Sequence, residues 1–79
     1  MKIQAHDQHY SFDYIGWVNA VFDVYMSRNP HAGVNAQAWG LSTSVIGKFF
    51  RYQRVSLPTM LQIELGSDVK MINFVVKID

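Results

Sequence analysis

Ser42, Thr43 and Ser44, followed by Lys48, Arg51 and Arg54, are the side chains whose types and spacing best suit a shared task. Hydroxyls both donate and accept hydrogen bonds, and residues three apart, as Lys48 and Arg51 are, share one face of a helix. Gly47 would let that face approach a surface closely, although glycine inside a helix costs about 1 kcal/mol against alanine. Such a face suits an anionic polymer: hydroxyls can read base edges in a DNA major groove, less exclusively than arginine or glutamine would. Lys48 and Arg51 can reach guanine edges or neutralise phosphates. Gln37 is a further candidate contact, or an ordinary exposed glutamine. Tyr52, Gln53 and Arg54 form a following loop suited to phosphates, and Arg28 can serve either a phosphate or the end of its own helix.

These side chains need a helix held at a steep angle to a neighbour, and the stretch Ala36 to Arg51, AQAWGLSTSVIGKFFR, has the parts for one. Two helices joined by a short turn approach closely, which suits the small side chain of Ala36. Gly40 can take the positive φ of a sharp helix stop. Ser42 or Thr43 can cap the first free N–H groups of the second helix. Leu41, Val45 or Ile46, and Phe49 then form an apolar stripe, with Trp39 packed inward. Thr43, Ser44, Gly47, Lys48 and Arg51 are left facing outward. Phe50 stays open between the core, a thymine methyl and a partner chain.

From about Ala32 to Leu65 the chain resembles the Cro and phage-repressor (XRE-type) helix-turn-helix class, with the motif at about 32–52. Arg54-Val55-Ser56-Leu57 and Thr59-Met60-Leu61-Gln62-Ile63 resemble that class's loop after the recognition helix and its next helix. Asn35 stands where the class usually has a large apolar residue. The resemblance implies a prokaryotic or phage regulator that binds double-stranded DNA as a homodimer on a two-fold symmetric operator. An antitoxin that represses its own operon would look the same.

Composition sets the bounds. Seventy-nine residues make one domain, near the lower limit for a chain that folds without staples. There is no cysteine, which excludes disulfides and thiolate metal sites. Net charge is only +1, but no acid lies between Val24 and Ile63, where Arg28, Lys48, Arg51 and Arg54 all fall. Asp7, Asp13, Asp23, Glu64, Asp68 and Asp79 lie outside that stretch. This local excess of positive charge is the footprint that DNA binding requires. His6, Asp7 and His9 cluster, yet two histidines fall short of a structural zinc site, so a solvated loop and no metal or cofactor are expected. No phosphate loop, nucleophile elbow or metal pair organises the serines, histidines and aspartates, so no enzyme is expected. No apolar run approaches the roughly 18 residues of a membrane span, and no leader pattern opens the chain. A cytoplasmic protein without a membrane partner is expected.

The remaining elements follow from periodicity. Lys2–His6 reads as a short strand. Ser11 reads as an N-cap, with Asp13 near the positive end of a helix over Phe12–Arg28. Ile15, Val18, Phe22, Tyr25 and Met26 are its expected buried stripe, widened by Trp17, Val21 and Val24. Asn29-Pro30 ends it. Ser56-Leu57-Pro58 opens a later helix, with Leu57, Met60, Leu61 and Leu65 expected inside and Gly66 as its stop. Over Val69–Asp79, the alternation of Ile72, Phe74, Val76 and Ile78 predicts a strand that pairs with Lys2–His6 on one edge and its own copy on the other. The expected fold is therefore mainly α with a small β component: a helix-turn-helix bundle of four helices plus N- and C-terminal strands that can form a dimer sheet. The expected function is sequence-specific transcriptional regulation, with repression foremost. The alternative is a protein-interaction module (inhibitor, antitoxin or adaptor) on the same scaffold, favoured by weak net charge and 14% aromatic content.

Overall fold

A computed structural model describes residues 9–28 and 39–78. The strand expected at Lys2–His6, the Asn29-Pro30 helix stop, Ala36, Gln37 and the start of the first motif helix lie outside the described residues. Along the chain run β1 (His9–Phe12), α1 (Tyr14–Arg28), α2 (Thr43–Phe50), α3 (Leu57–Ser67), a 3-10 turn (Met71–Phe74) and β2 (Val75–Ile78). The described residues are thus mainly helical with a small two-stranded antiparallel sheet. They hold three α-helices; the fourth expected one, the first motif helix, lies outside the described residues. No helix among them is long and apolar enough to cross a membrane.

The sheet corrects the reading of the N-terminal segment. His9, Tyr10, Ser11 and Phe12 pair with Ile78, Lys77, Val76 and Val75. Asp13 N–H continues the ladder by donating to the Phe74 carbonyl at 2.7 Å. This pairing keeps Ser11 extended, so Ser11 is a strand residue and not the helix cap, and His9 opens a strand rather than lying in a loop. Asp13 takes the capping role: its carboxylate accepts from Gly16 N–H at 3.0 Å.

Helix α1 buries Tyr14, Trp17, Val18, Val21 and Tyr25, spaced by three, four and seven as one helical stripe. Ile15, Phe22 and Met26, expected inside, are exposed. The larger rings decide the rotation. Trp17 lies 5.2 Å from the Phe49 ring and 5.6 Å from Phe12, and its indole N–H donates to the Val69 carbonyl at 3.0 Å. Burying a tryptophan with its N–H satisfied outweighs burying Ile15. Ile46, Phe49, Trp39 and Ile63 complete the core from α2, the turn before it and α3.

Helix α3 begins as expected at Ser56, whose hydroxyl accepts from Thr59 N–H at 3.4 Å, with proline in its first turn. Its buried side differs. Ile63 and Ser67 are buried, whereas Leu57, Leu61 and Leu65 are 62%, 45% and 76% exposed. The helix also runs through Gly66 to Ser67, and Asp68 at φ 60° reverses the chain. Gly66 meets Trp39 so closely that a Cβ built there would lie 2.5 Å from Trp39 Cγ. Ser67 Oγ donates to the Ile63 carbonyl at 2.7 Å and accepts from Val69 N–H at 3.2 Å. The small residues therefore face the core and let α3 approach it; the leucines are turned away as a result.

The C-terminal alternation is also shorter than expected as a strand. Ile72 and Phe74 belong to the 3-10 turn, because the Glu64 carboxylate accepts from Met71 N–H at 2.7 Å and winds the chain there. Phe74 packs against the core while Ile72 is exposed, and Val76 and Ile78 in β2 are exposed.

Candidate nucleic-acid interface

Among the described residues, the turn before α2 holds the one glycine that must be glycine on conformational grounds. Gly40 adopts φ +75°, a region that side chains rarely enter. The Gln62 amide of α3 donates to the neighbouring Trp39 carbonyl at 2.9 Å, tying the turn to the bundle. Ser42 then takes an extended backbone (φ −79°, ψ 155°), and its hydroxyl accepts from Val45 N–H at 3.2 Å. This is a serine N-cap, a local preference that the sequence already carried.

Within α2, Ile46 and Phe49 are buried and so orient the helix. Phe50 is half-buried, against Tyr25 at 4.8 Å and Phe22 at 5.0 Å, so it belongs to the apolar packing. The opposite face carries Thr43, Ser44, Lys48 and Arg51, all exposed, with Gly47 half-buried between them. A Cβ on Gly47 would meet only Arg51 Nη1, at 3.5 Å, so the Arg51 guanidinium folds back over the glycine. Among the described residues no acid pairs with Lys48 or Arg51; the one ion pair there is Lys70 with Asp68. The face thus presents two unneutralised cations and two free-standing hydroxyl side chains around a backbone with no side chain.

The C-terminal end of α2 is closed by two hydrogen bonds: Tyr52 N–H donates to the Phe49 carbonyl at 3.0 Å and Gln53 N–H to the Lys48 carbonyl at 3.1 Å. That pattern is a Schellman cap, which needs a left-handed residue, and Tyr52 supplies it at φ 64°. The Tyr52 hydroxyl, a candidate phosphate contact, donates instead to Asn19 Oδ1 on α1 at 2.7 Å. Gln53 has an exposed side chain, and its carbonyl accepts from the Tyr14 hydroxyl at 2.7 Å. Arg54 lies over the Tyr14 ring, 4.8 Å from its centroid. Burial raises the Tyr14 hydroxyl above the ordinary tyrosine value, and the Arg54 charge opposes that shift. Burial alone raises Tyr25.

An open groove of about 550 Å³ adjoins this loop, with Arg54, Tyr52, Tyr14, Ser11, Asp13 and Val76 among its lining residues. Among the described residues no group of three metal-ligating side chains is present. Thr43, Ser44, Gly47, Lys48 and Arg51 are brought to one surface, with Arg54 just beyond it. Arg28 closes α1, where its side chain is not described, and Gln37 lies outside the described residues. The sequence reading missed Tyr14 and Asn19 as supports of the loop. No local signal links them to it, since they act across 39 and 33 residues.

Comparison of the chain with protein-family models, with curated proteins and with solved structures finds no match.

Proposed function

We propose that this chain is a cytoplasmic, sequence-specific DNA-binding regulator that acts as a two-fold dimer on its operator and represses by occupying it. The observation that carries the reading is the outward face of α2. Its hydroxyls stand at the N-terminal end, where a recognition helix contacts bases, and its two cations stand further along without partner acids among the described residues. Gly47 leaves room for the helix to lie against the groove floor. In this reading α2 is the recognition helix of a helix-turn-helix, and Arg54 and Arg28 meet phosphates. The dimer forms through the C-terminal segment, where Ile72, Val76 and Ile78 are exposed and β2 has β1 on one edge alone among the described residues.

Selection of bound duplexes from a random-sequence pool at physiological salt tests this directly. A two-fold symmetric site should enrich, with half-sites spaced by about one helical turn or a multiple. Lys48→Ala and Arg51→Ala should each weaken binding, and each should lower the salt slope by about one for a lost phosphate contact. Absence of enrichment, together with negligible binding at low salt, would refute the reading. A protein that stays monomeric at high micromolar concentration by light scattering would refute the dimer.

One observation favours a second reading, a protein-interaction module. Leu57, Leu61 and Leu65 form an exposed ridge at four-residue spacing along α3, which is how a helix meets another helix.

A further inference from the structure

The reversal after α2 is made by an unusual residue. A Schellman cap places its left-handed residue where glycine is the common choice, because a Cβ is strained there. Here the position holds Tyr52 at φ 64°. A strained residue persists when its surroundings hold it, and two elements hold this one. The Tyr52 hydroxyl reaches Asn19 Oδ1 at 2.7 Å, and Tyr52 lines a small cavity together with Val18, Phe22 and Phe50. One residue later, the Gln53 carbonyl receives the Tyr14 hydroxyl. The next residue, Arg54, stacks on the same tyrosine. Three consecutive residues of the loop are therefore fastened to α1.

The fastening bears on the candidate interface. Arg51 N–H donates to the Gly47 and Lys48 carbonyls, and Gln53 N–H returns to Lys48, so the same cap fixes the backbone that carries Lys48 and Arg51. Binding a phosphate orders both the long basic side chains and the loop that carries them, and a backbone already fixed in place removes the loop's share of that cost. We infer that Tyr52 and Asn19 are positioning residues: they hold the end of α2 against α1 so that Lys48, Arg51 and Arg54 meet the phosphate backbone as one fixed array. The inference rests on the DNA-binding reading of α2, and it gives the Tyr52 hydroxyl an internal task in place of a direct phosphate contact.

The test is a salt series of affinities for a short mixed-sequence DNA duplex, read by fluorescence anisotropy on the full chain. Tyr52→Phe and Asn19→Ala each remove the tie, and Tyr52→Gly removes it while making the reversal easier. Both positions are exposed, and thermal melts check that each variant folds. All three should bind about fivefold more weakly than the native chain, the scale of one lost hydrogen bond. The Tyr52→Phe/Asn19→Ala double variant should bind no more weakly than either single one, because both break a single link. Native affinity in Tyr52→Gly would overturn the inference, since the reversal alone would then suffice. Effects that multiply in the double variant would also overturn it, because they would mark two independent contacts to DNA. If the native chain binds no duplex even at low salt, the DNA-binding reading fails and the inference falls with it. Native binding with unchanged variants would remove the inference alone.

Discussion

Helices α2 and α3 each begin at a serine cap, each lead into a non-glycine residue in the left-handed region, and each contain one glycine, yet they turn opposite kinds of surface outward. In α2 the apolar anchors Ile46 and Phe49 face in, and hydroxyls and cations face out. In α3 the closest approach to the core is made by Gly66 and Ser67 beside Ile63, and the leucines face out. The difference shows that the bulkiest apolar stripe does not always orient a helix. Where a large ring such as Trp39 must be covered, the side that lets two backbones come together can decide instead. It also divides the surface into one face suited to an anion and another suited to an apolar partner.

The sharpest way to break this contrast is within α3 itself. Ile63 is fully buried, so Ile63→Ala should destabilise by about 3 kcal/mol, from lost transfer energy and the cavity left behind. Leu65→Ala, two residues along, should change stability by less than about 0.5 kcal/mol, because the leucine is largely in water. Urea unfolding of both variants gives the comparison. A loss above about 1 kcal/mol at Leu65, well outside the surface range, would mean that the leucine ridge is covered in solution. That result would favour the protein-interaction reading.

The next effect concerns the glycine that α3 turns inward. Gly66→Ala should gain up to about 1 kcal/mol of helix propensity. Its Cβ would nevertheless fall 2.5 Å from Trp39 Cγ and 2.7 Å from Cδ1, a distance that forces the indole or the helix to move. Overpacking of this kind costs about 1–3 kcal/mol, so the net effect should be destabilising by about 1 kcal/mol. A lower melting temperature and an altered tryptophan emission would show it. A stabilised Gly66→Ala would place Trp39 elsewhere and remove the reason given for the orientation of α3.

How far the sequence reaches follows the same division. The turn at Gly40, a cap at Ser42 or Thr43, and the anchors Val45 or Ile46 and Phe49 were legible because each depends on residues within one turn of it; the structure selects Ser42 and Ile46. The outward face of α2 then follows, since a short amphipathic helix with two anchors has little choice of side. In α1 the helix was legible, and so was the burial of Val18, Tyr25, Trp17 and Val21, but the exposure of Ile15, Phe22 and Met26 was not. Ile15, Phe22 and Met26 compete with Trp17 and Val21 at equally helical spacings, and the choice is made by Phe12, Phe49 and the Val69 carbonyl, distant in sequence. Leu57, Leu61 and Leu65 misled for the matching reason. Likewise Ile72 and Phe74 alternate as a strand would, and only the Glu64 carboxylate on Met71 shows that the chain winds there. The site's face could be read from the sequence, while its supports, Tyr14 and Asn19, could not.

The glycine of α2 offers the smallest effect and the most direct separation of folding from recognition. Gly47 sits in a helix interior at an ordinary helical conformation, and an added Cβ would meet nothing closer than Arg51 Nη1 at 3.5 Å. With no clash to offset it, the propensity gain survives, and Gly47→Ala should stabilise the chain by about 0.5–1 kcal/mol. Gly66→Ala should do the reverse, so the two alanines together test whether one helix is open and the other pressed against the core. On DNA the sign should change. A methyl between Lys48 and Ser44 stands on the face proposed to enter the groove, where it would hold the backbone away from the base edges. A more stable protein that binds its selected duplex more weakly, with a salt slope close to the native one, is the expected outcome. A more stable protein with undiminished affinity would mean that α2 meets DNA through its cations alone and that Gly47 has no part in the contact.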